Sequence, residues 1–137
     1  MFVDRIASGA ASADDPGMFS IVTEHEFSAA HAIRLYDGSI EPLHGHNWRV
    51  RVTVGRATLD EIGVVMDFHA LHDQVEQILS PFRNRCFNDI PPFDRVNPTA
   101  ECIAEHIGTS LQLPMSVRLE SVEILEAPGC WAIYRPG

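Results

Sequence analysis

The sequence predicts an α+β domain: a four-stranded antiparallel sheet with two helices on one face, in the order strand, strand, helix, helix, strand, strand. Three observations carry this. The stretches from Phe19 to about His31 and from His44 to Val54 alternate apolar and polar residues with the period of two of a half-buried strand. The stretches that follow Asp67 and Thr99 space their apolar residues three and four apart, as amphipathic helices do. Strand patterning then returns from Ser116 to Glu126 and from about Cys130 to Arg135, divided by a turn at Pro128-Gly129.

Each element has its own logic. In the first strand Phe19, Ile21, Phe27 and Ala29 share one parity and Glu24 and Glu26 the other, so His31 falls on the apolar side. Asp37-Gly38-Ser39 and Pro42 mark Ile33 to Pro42 as the loop that returns the chain. The second strand sets Trp48, Val50, Val52 and Val54 against Arg49, Arg51 and Thr53. Counting back in twos puts His46 and His44 on the Trp48 face, provided the strand stays regular through Gly45. After the turn Leu59 to Gly63, Asp67 is an N-cap for a helix with the face Phe68, Leu71, Val75, Ile78 and Phe82, which Pro81 interrupts. Arg83 to Val96, with Pro91-Pro92, reads as a long irregular connection, a kind that is often functional. Asn97-Pro98-Thr99 opens the second helix, whose face is Ala100, Ile103, Ala104, Ile107 and Leu111. Helices on one face leave the other face and two sheet edges to be covered, and a ring-forming homo-oligomer is the expected solution.

The 137 residues suit one domain, expected over 18–137, behind a flexible tail at 1–17 rich in Ala, Ser, Gly and Asp. A net charge of −9, with ten basic residues spread singly among nineteen acids, excludes a nucleic-acid partner. No apolar run approaches membrane-spanning or signal-peptide length, so a cytoplasmic location without membrane contact is expected. Cys86, Cys102 and Cys130 are odd in number and lack a C-x-x-C pair, which argues against a disulfide framework and a thiolate zinc site.

The chemistry centres on His31, His44 and His46. Three neutral imidazoles with one open position are the donor set of a catalytic zinc, and no fourth protein ligand is evident in the sequence. A cupin-like barrel would place a carboxylate ligand a few residues after the H-x-H, where this chain has Val50, Arg51 and Val52. His25, His69, His72 and His106 read as ordinary core or surface residues.

Phe27-Ser28-Ala29-Ala30-His31, Leu43-His44-Gly45-His46-Asn47, Val65-Met66-Asp67-Phe68, Asn97-Pro98-Thr99-Ala100-Glu101 and Glu126 together resemble the 6-pyruvoyl tetrahydropterin synthase family, which includes the bacterial 6-carboxytetrahydropterin synthases. The resemblance runs in order over nearly everything from Phe19 to Arg135. It implies a T-fold, in which trimers close their sheets into a barrel and two trimers stack as a hexamer. It implies zinc (Zn2+) on His31, His44 and His46, and dihydroneopterin triphosphate as substrate. Glu126 would accept hydrogen bonds from the N–H and amino groups of the pterin ring. Thr99 and Glu101 are further substrate-binding candidates, although Asn-Pro-Thr-x-Glu is also an ordinary helix start. Asp67 reads as a cap rather than a catalyst.

The chain departs from the family where protons are moved. The usual cysteine four residues before His44 is Ile40, and the usual Asp-His pair falls at Arg83-Asn84; neither Ile40 nor Arg83 can act as a general base. Glu41 occupies the position where a subgroup of the family uses glutamate, and those relatives can cleave the substrate side chain to 6-hydroxymethyl-7,8-dihydropterin. Cys86 reads as a packing residue rather than a displaced nucleophile. Two readings follow: a zinc-dependent carbon-oxygen lyase or aldolase-type side-chain lyase with Glu41 as base, or a zinc- and pterin-binding homologue that has lost catalysis and serves a binding or regulatory role. Folate, tetrahydrobiopterin and queuosine synthesis are all compatible with the resemblance.

Overall fold

In the computed structural model, which describes residues 19–137, the two alternating stretches become the strands β1 (Phe19–His31) and β2 (His44–Arg56). The tail expected at 1–17 lies outside the described residues. The strands pair antiparallel in unbroken register, from Phe19 against Arg56 to His31 against His44. Residues directly opposite one another share a face, so Phe27, Ala29 and His31 point the same way as Trp48, His46 and His44. The helices α1 (Phe68–Leu79) and α2 (Ala100–Ser110) follow, and β3 (Arg118–Ala127) and β4 (Cys130–Tyr134) complete an antiparallel sheet of order β1-β2-β3-β4.

Both helices start where a side chain satisfies a free backbone donor. The Asp67 carboxylate accepts from the His69 N–H at 3.2 Å, and the Thr99 hydroxyl accepts from the Cys102 N–H at 3.1 Å. α2 buries Ala100, Ile103, Ala104, Ile107 and Gly108. α1 buries Leu71, Val75 and Leu79, a single row of four-residue steps, while Phe68 stays exposed at its first position. Pro81 ends the α-helical bonding, and the chain tightens into a 3-10 turn, Ser80–Phe82, that buries Phe82. Trp48, Phe82, Phe87 and Phe93 form an aromatic centre between helices and sheet. The fully buried Trp48 keeps its indole N–H satisfied by donating to the Ala29 carbonyl at 3.1 Å. α2 approaches β4 so closely that a Cβ on Gly108 would lie 2.8 Å from the Tyr134 ring, which explains a glycine inside a helix.

The connection after α1 is more ordered than its sequence suggests. Asn84 N–H donates to Ser28 O at 2.6 Å, Ala30 N–H donates to Arg85 O at 2.9 Å, and Cys86 pairs with Ala30 in parallel. Residues 84–86 therefore cover the end of the β1 edge around Ser28 to Ala30, while the rest of that edge, like that of β4, has no strand beside it among the described residues. The turn into the segment needs a left-handed residue, and Asn84, at φ 58°, is among the side chains that tolerate it. The face without helices is charged: Arg51 pairs with Glu24 at 3.2 Å and Glu123 at 3.8 Å, and Arg49 with Glu26 at 3.6 Å. Among the described residues no helix is long and apolar enough to cross a membrane.

Trp48 joins the sheet to the loop aromatics and underlies the histidines, so its removal should be felt globally. Trp48→Ala is expected to destabilise the protein by about 3–5 kcal/mol, read as a lower urea midpoint; an unchanged midpoint would show that the aromatic centre is dispensable.

Candidate metal centre

The β1–β2 register creates the centre. His31 and His44 are cross-strand partners, and His46, two residues along β2, shares their face. The ring centroids stand 4.7 to 5.1 Å apart, and Trp48 meets the rings of His31 and His46 edge-on from below. The His31 side chain is fully buried, and its Nδ1–H donates to the Pro98 carbonyl at 2.7 Å. His44 Nδ1–H donates to the Pro42 carbonyl at 2.8 Å. Because a carbonyl can only accept, these bonds fix the tautomer and leave the Nε2 lone pairs aimed at the centre, the arrangement by which proteins orient histidine ligands.

The donor set fits a borderline divalent ion. Nε2 of His31 and of His46 are buried with no hydrogen-bond partner among the described residues, an arrangement that costs about 1–3 kcal/mol per group unless a ligand satisfies it. Burial holds the His46 imidazole below its ordinary pKa; Glu126 opposes this and the neighbouring histidines reinforce it, so the net effect favours the neutral, ligating form. The structure also brings a carboxylate beside the imidazoles. Glu126 Oε2 stands 3.3 Å from Nε2 of both His31 and His46, and the donor atoms of the four residues lie within 4.8 Å of one another. Glu126 is eighty residues from His46 in the chain, and only the pairing of β3 with β2 brings it there. It is the extra residue of a β-bulge, since Leu125 pairs with Trp131 and Ala127 with Cys130.

Glu41 reaches the rim of the same centre. Its loop folds back on itself through Glu41 N–H to Ile33 O at 3.0 Å, with Arg34 and Ile40 bridged. The Glu41 Oε1 accepts from the Ile33 N–H at 3.0 Å and lies 3.7 Å from His44 Nε2, whereas Ile40 is exposed. Two asparagines hold the segment that leaves His31. Asn88 bonds both the N–H and the carbonyl of Ala32, at 2.9 and 2.8 Å; Asn97 does the same for Arg34, at 2.8 and 3.0 Å. Arg34 then caps the carbonyls of Phe93, Asp94 and Val96. The long connection is thus a scaffold for the centre. These clamps have no local pattern that would have revealed them, because each joins residues more than fifty positions apart.

Other candidates lie apart. Arg83 turns away, bonding the Glu76 carboxylate and the Glu26 carbonyl. Cys86 lines an open cleft with Ser28, Asn47 and Asn84, and its only close polar contact among the described residues is Asn88. Thr99 stands next to Pro98, at the edge of the centre, with its lone pair used as the helix cap. Glu101 is exposed on α2 beside Cys102, Glu105, Ile133 and Tyr134, and the structure does not join it to the imidazoles. It sits where an acid in the first helical turn is favoured in any case.

Residues 20–137 match the 6-pyruvoyl tetrahydropterin synthase family. A 6-carboxy-5,6,7,8-tetrahydropterin synthase of Synechocystis sp. is 34% identical over 114 residues, covering 80% of this chain and 87% of its own. In fold, the structure is similar to the Caenorhabditis elegans 6-pyruvoyl tetrahydropterin synthase, with a TM-score of 0.71 at 24% identity over 90% of this chain and 100% of that one. It is also similar, with a TM-score of 0.66 at 20% identity over 87% of this chain and 98% of the other, to a Plasmodium vivax 6-pyruvoyltetrahydropterin synthase in which a catalytic glutamate is replaced by alanine. The arrangement of four strands and two helices is the T-fold of these proteins.

The clamp on Ala32 should be visible in metal binding. Asn88→Ala is expected to weaken the affinity of the three-histidine centre for zinc about 10–100-fold, measured by competition with a chromophoric chelator, and an unchanged affinity would show that the clamp does not position His31.

Proposed function

Because the chain belongs to the 6-pyruvoyl tetrahydropterin synthase family, we propose that it is a zinc-dependent enzyme acting on 7,8-dihydroneopterin triphosphate or a close relative, cleaving the side chain to 6-hydroxymethyl-7,8-dihydropterin. Family membership makes it a pterin synthase-like enzyme. The choice of reaction rests on one observation: a carboxylate, Glu41, is held at the rim of the three imidazoles, 3.7 Å from His44 Nε2, while Ile40 and Arg83 offer no base. The catalytic glutamate of the Plasmodium vivax relative is a precedent for a carboxylate in such a site.

His31, His44 and His46 would hold the ion, which when bound supplies a Lewis acid that lowers the pKa of the substrate's side-chain hydroxyls. Glu41 keeps Oε1 on the Ile33 N–H, which leaves Oε2 to take the proton from the hydroxyl on the second side-chain carbon. The bond between the first and second carbons then breaks, its electron pair passing into the pterin ring, and the second carbon departs as an aldehyde. Glu41 returns the proton to the first carbon, leaving the hydroxymethyl group. Glu126 presents two acceptor oxygens to the planar N–H and amino groups of the ring. The Thr99 hydroxyl uses a lone pair for capping, so its proton is free for the substrate. The protein is expected to work in the cytoplasm as a hexamer of two trimers, with the open β4 edge, where Trp131 and Ile133 are exposed, meeting a neighbouring subunit.

A second reading, a pterin-binding homologue without catalysis, is favoured by the engagement of Arg83 with Glu76, at the position where the family places its proton-transfer pair. Incubation of the zinc-loaded protein with 7,8-dihydroneopterin triphosphate and chromatography of the pterins separates the two. Turnover by the wild type, reduced about 10²–10⁴-fold in Glu41→Gln with metal content retained, is expected. Full turnover by that variant would remove Glu41 as base. Pterin binding without any turnover, weakened by Glu126→Ala, would establish the second reading instead.

A further inference from the structure

Away from the three-histidine centre, one other cluster joins metal-ligating side chains from two elements. His25 is buried on the helix-facing side of β1, and its Nδ1 stands 2.5 Å from Oε2 of Glu76 on α1. His72 lies one turn earlier on α1, with Nε2 3.9 Å from the same oxygen, and its ring stacks on that of His25 at a centroid distance of 4.9 Å. The three donor atoms lie within 4.8 Å of one another. We propose that His25, His72 and Glu76 form a second site, separate from the trio, for a borderline divalent cation such as zinc, nickel or cobalt.

Two nitrogens and one carboxylate oxygen suit this class of ion, and a site with three protein ligands keeps a position for water. Donors around a tetrahedral zinc stand about 3.3 Å apart. The His25–Glu76 contact would open and the His72–Glu76 contact close, each by less than about 1 Å, and the two nitrogens, which lie within 4.8 Å, would close by up to about 1.5 Å. Side-chain motion on that scale is available, since His72 and Glu76 are 51% and 32% exposed.

Proton placement also permits it. The Thr23 hydroxyl lies 2.9 Å from His25 Nε2. While His25 Nδ1–H donates to Glu76, the hydroxyl donates to Nε2; when a cation takes Nδ1, the proton moves to Nε2 and the same hydroxyl accepts it. A hydroxyl can serve both tautomers, so the buried imidazole stays satisfied in either state. Burial holds His25 below its ordinary pKa against the pull of Glu76, which keeps it neutral. Burial pushes Glu76 up, but the His25 hydrogen bond and the Arg83 guanidinium outweigh it and hold the carboxylate ionised. Arg83 bonds Oε1 of Glu76 and would become an outer partner of the ligand. Its positive charge makes this the weaker of the two sites.

The inference does not depend on the pterin reading, and metal counting keeps the two apart. The full-length protein, equilibrated with low-micromolar free zinc, is expected to hold two ions per chain by mass spectrometry of the native protein. His72→Gln, a change at a half-exposed surface position, is expected to hold one, and His44→Ala is expected to keep the second site's ion. One ion in the wild type that His44→Ala abolishes, or two ions retained by His72→Gln, would overturn the second site while leaving the first intact. Absence of any ion in the wild type would overturn both.

Discussion

A fully buried imidazole cannot leave either nitrogen unanswered, and that constraint on His31 organises the rest of the molecule. Its Nδ1 proton has gone to Pro98, a carbonyl sixty-seven residues away at the mouth of α2. Its Nε2 has no hydrogen-bond partner among the described residues and faces His44, His46 and Glu126. To hold this geometry the β1–β2 register must be unbroken, Trp48 must support the rings from below, and Asn88 and Asn97 must clamp the backbone on the far side. The centre is where strand pairing, aromatic packing and the asparagine clamps meet.

Electrostatics divide the sheet in two. The helix face carries His25 and His46, whose pKa values burial lowers, next to carboxylates that enter only at its margins, Glu41 and Glu126 on one side and Glu76 on the other. The opposite face carries Glu24, Glu26, Arg49, Arg51 and Glu123 in exposed pairs, which contribute little to stability because water screens them. Arg83 belongs to neither pocket as a catalyst. By bonding Glu76 and the Glu26 carbonyl it ties the end of α1 to β1, next to the segment that pairs with the end of β1. Arg83 therefore has a clear structural role, and in the proposed reaction the task of moving protons falls to the loop that carries Glu41.

The histidine pattern and the strand and helix faces were legible because they are local: periods of two and of three to four, caps at Asp67 and Thr99, and a histidine parity that holds through Gly45. The resemblance put Glu41 beside the metal and Glu126 at the pterin ring elsewhere in the pocket; in the structure both carboxylates stand next to the imidazoles. It could not show that Glu126 is close enough to be a fourth donor, or that Glu101 faces away. The second histidine cluster was read as ordinary core and surface, since His72 and Glu76 are an unremarked helical pair until His25 arrives from β1.

What the sequence determined alone was the set of elements and the shared face of the three histidines, because backbone periodicity and the i, i+2 relation of His44 and His46 are properties of neighbouring residues. What only the tertiary structure decided was which nitrogen of each fixed imidazole points inward, which loop pairs with the end of β1 and where Arg83 goes. Those outcomes depend on carbonyls and amides brought from distant segments, since a buried donor takes the nearest acceptor in space whatever its place in the chain.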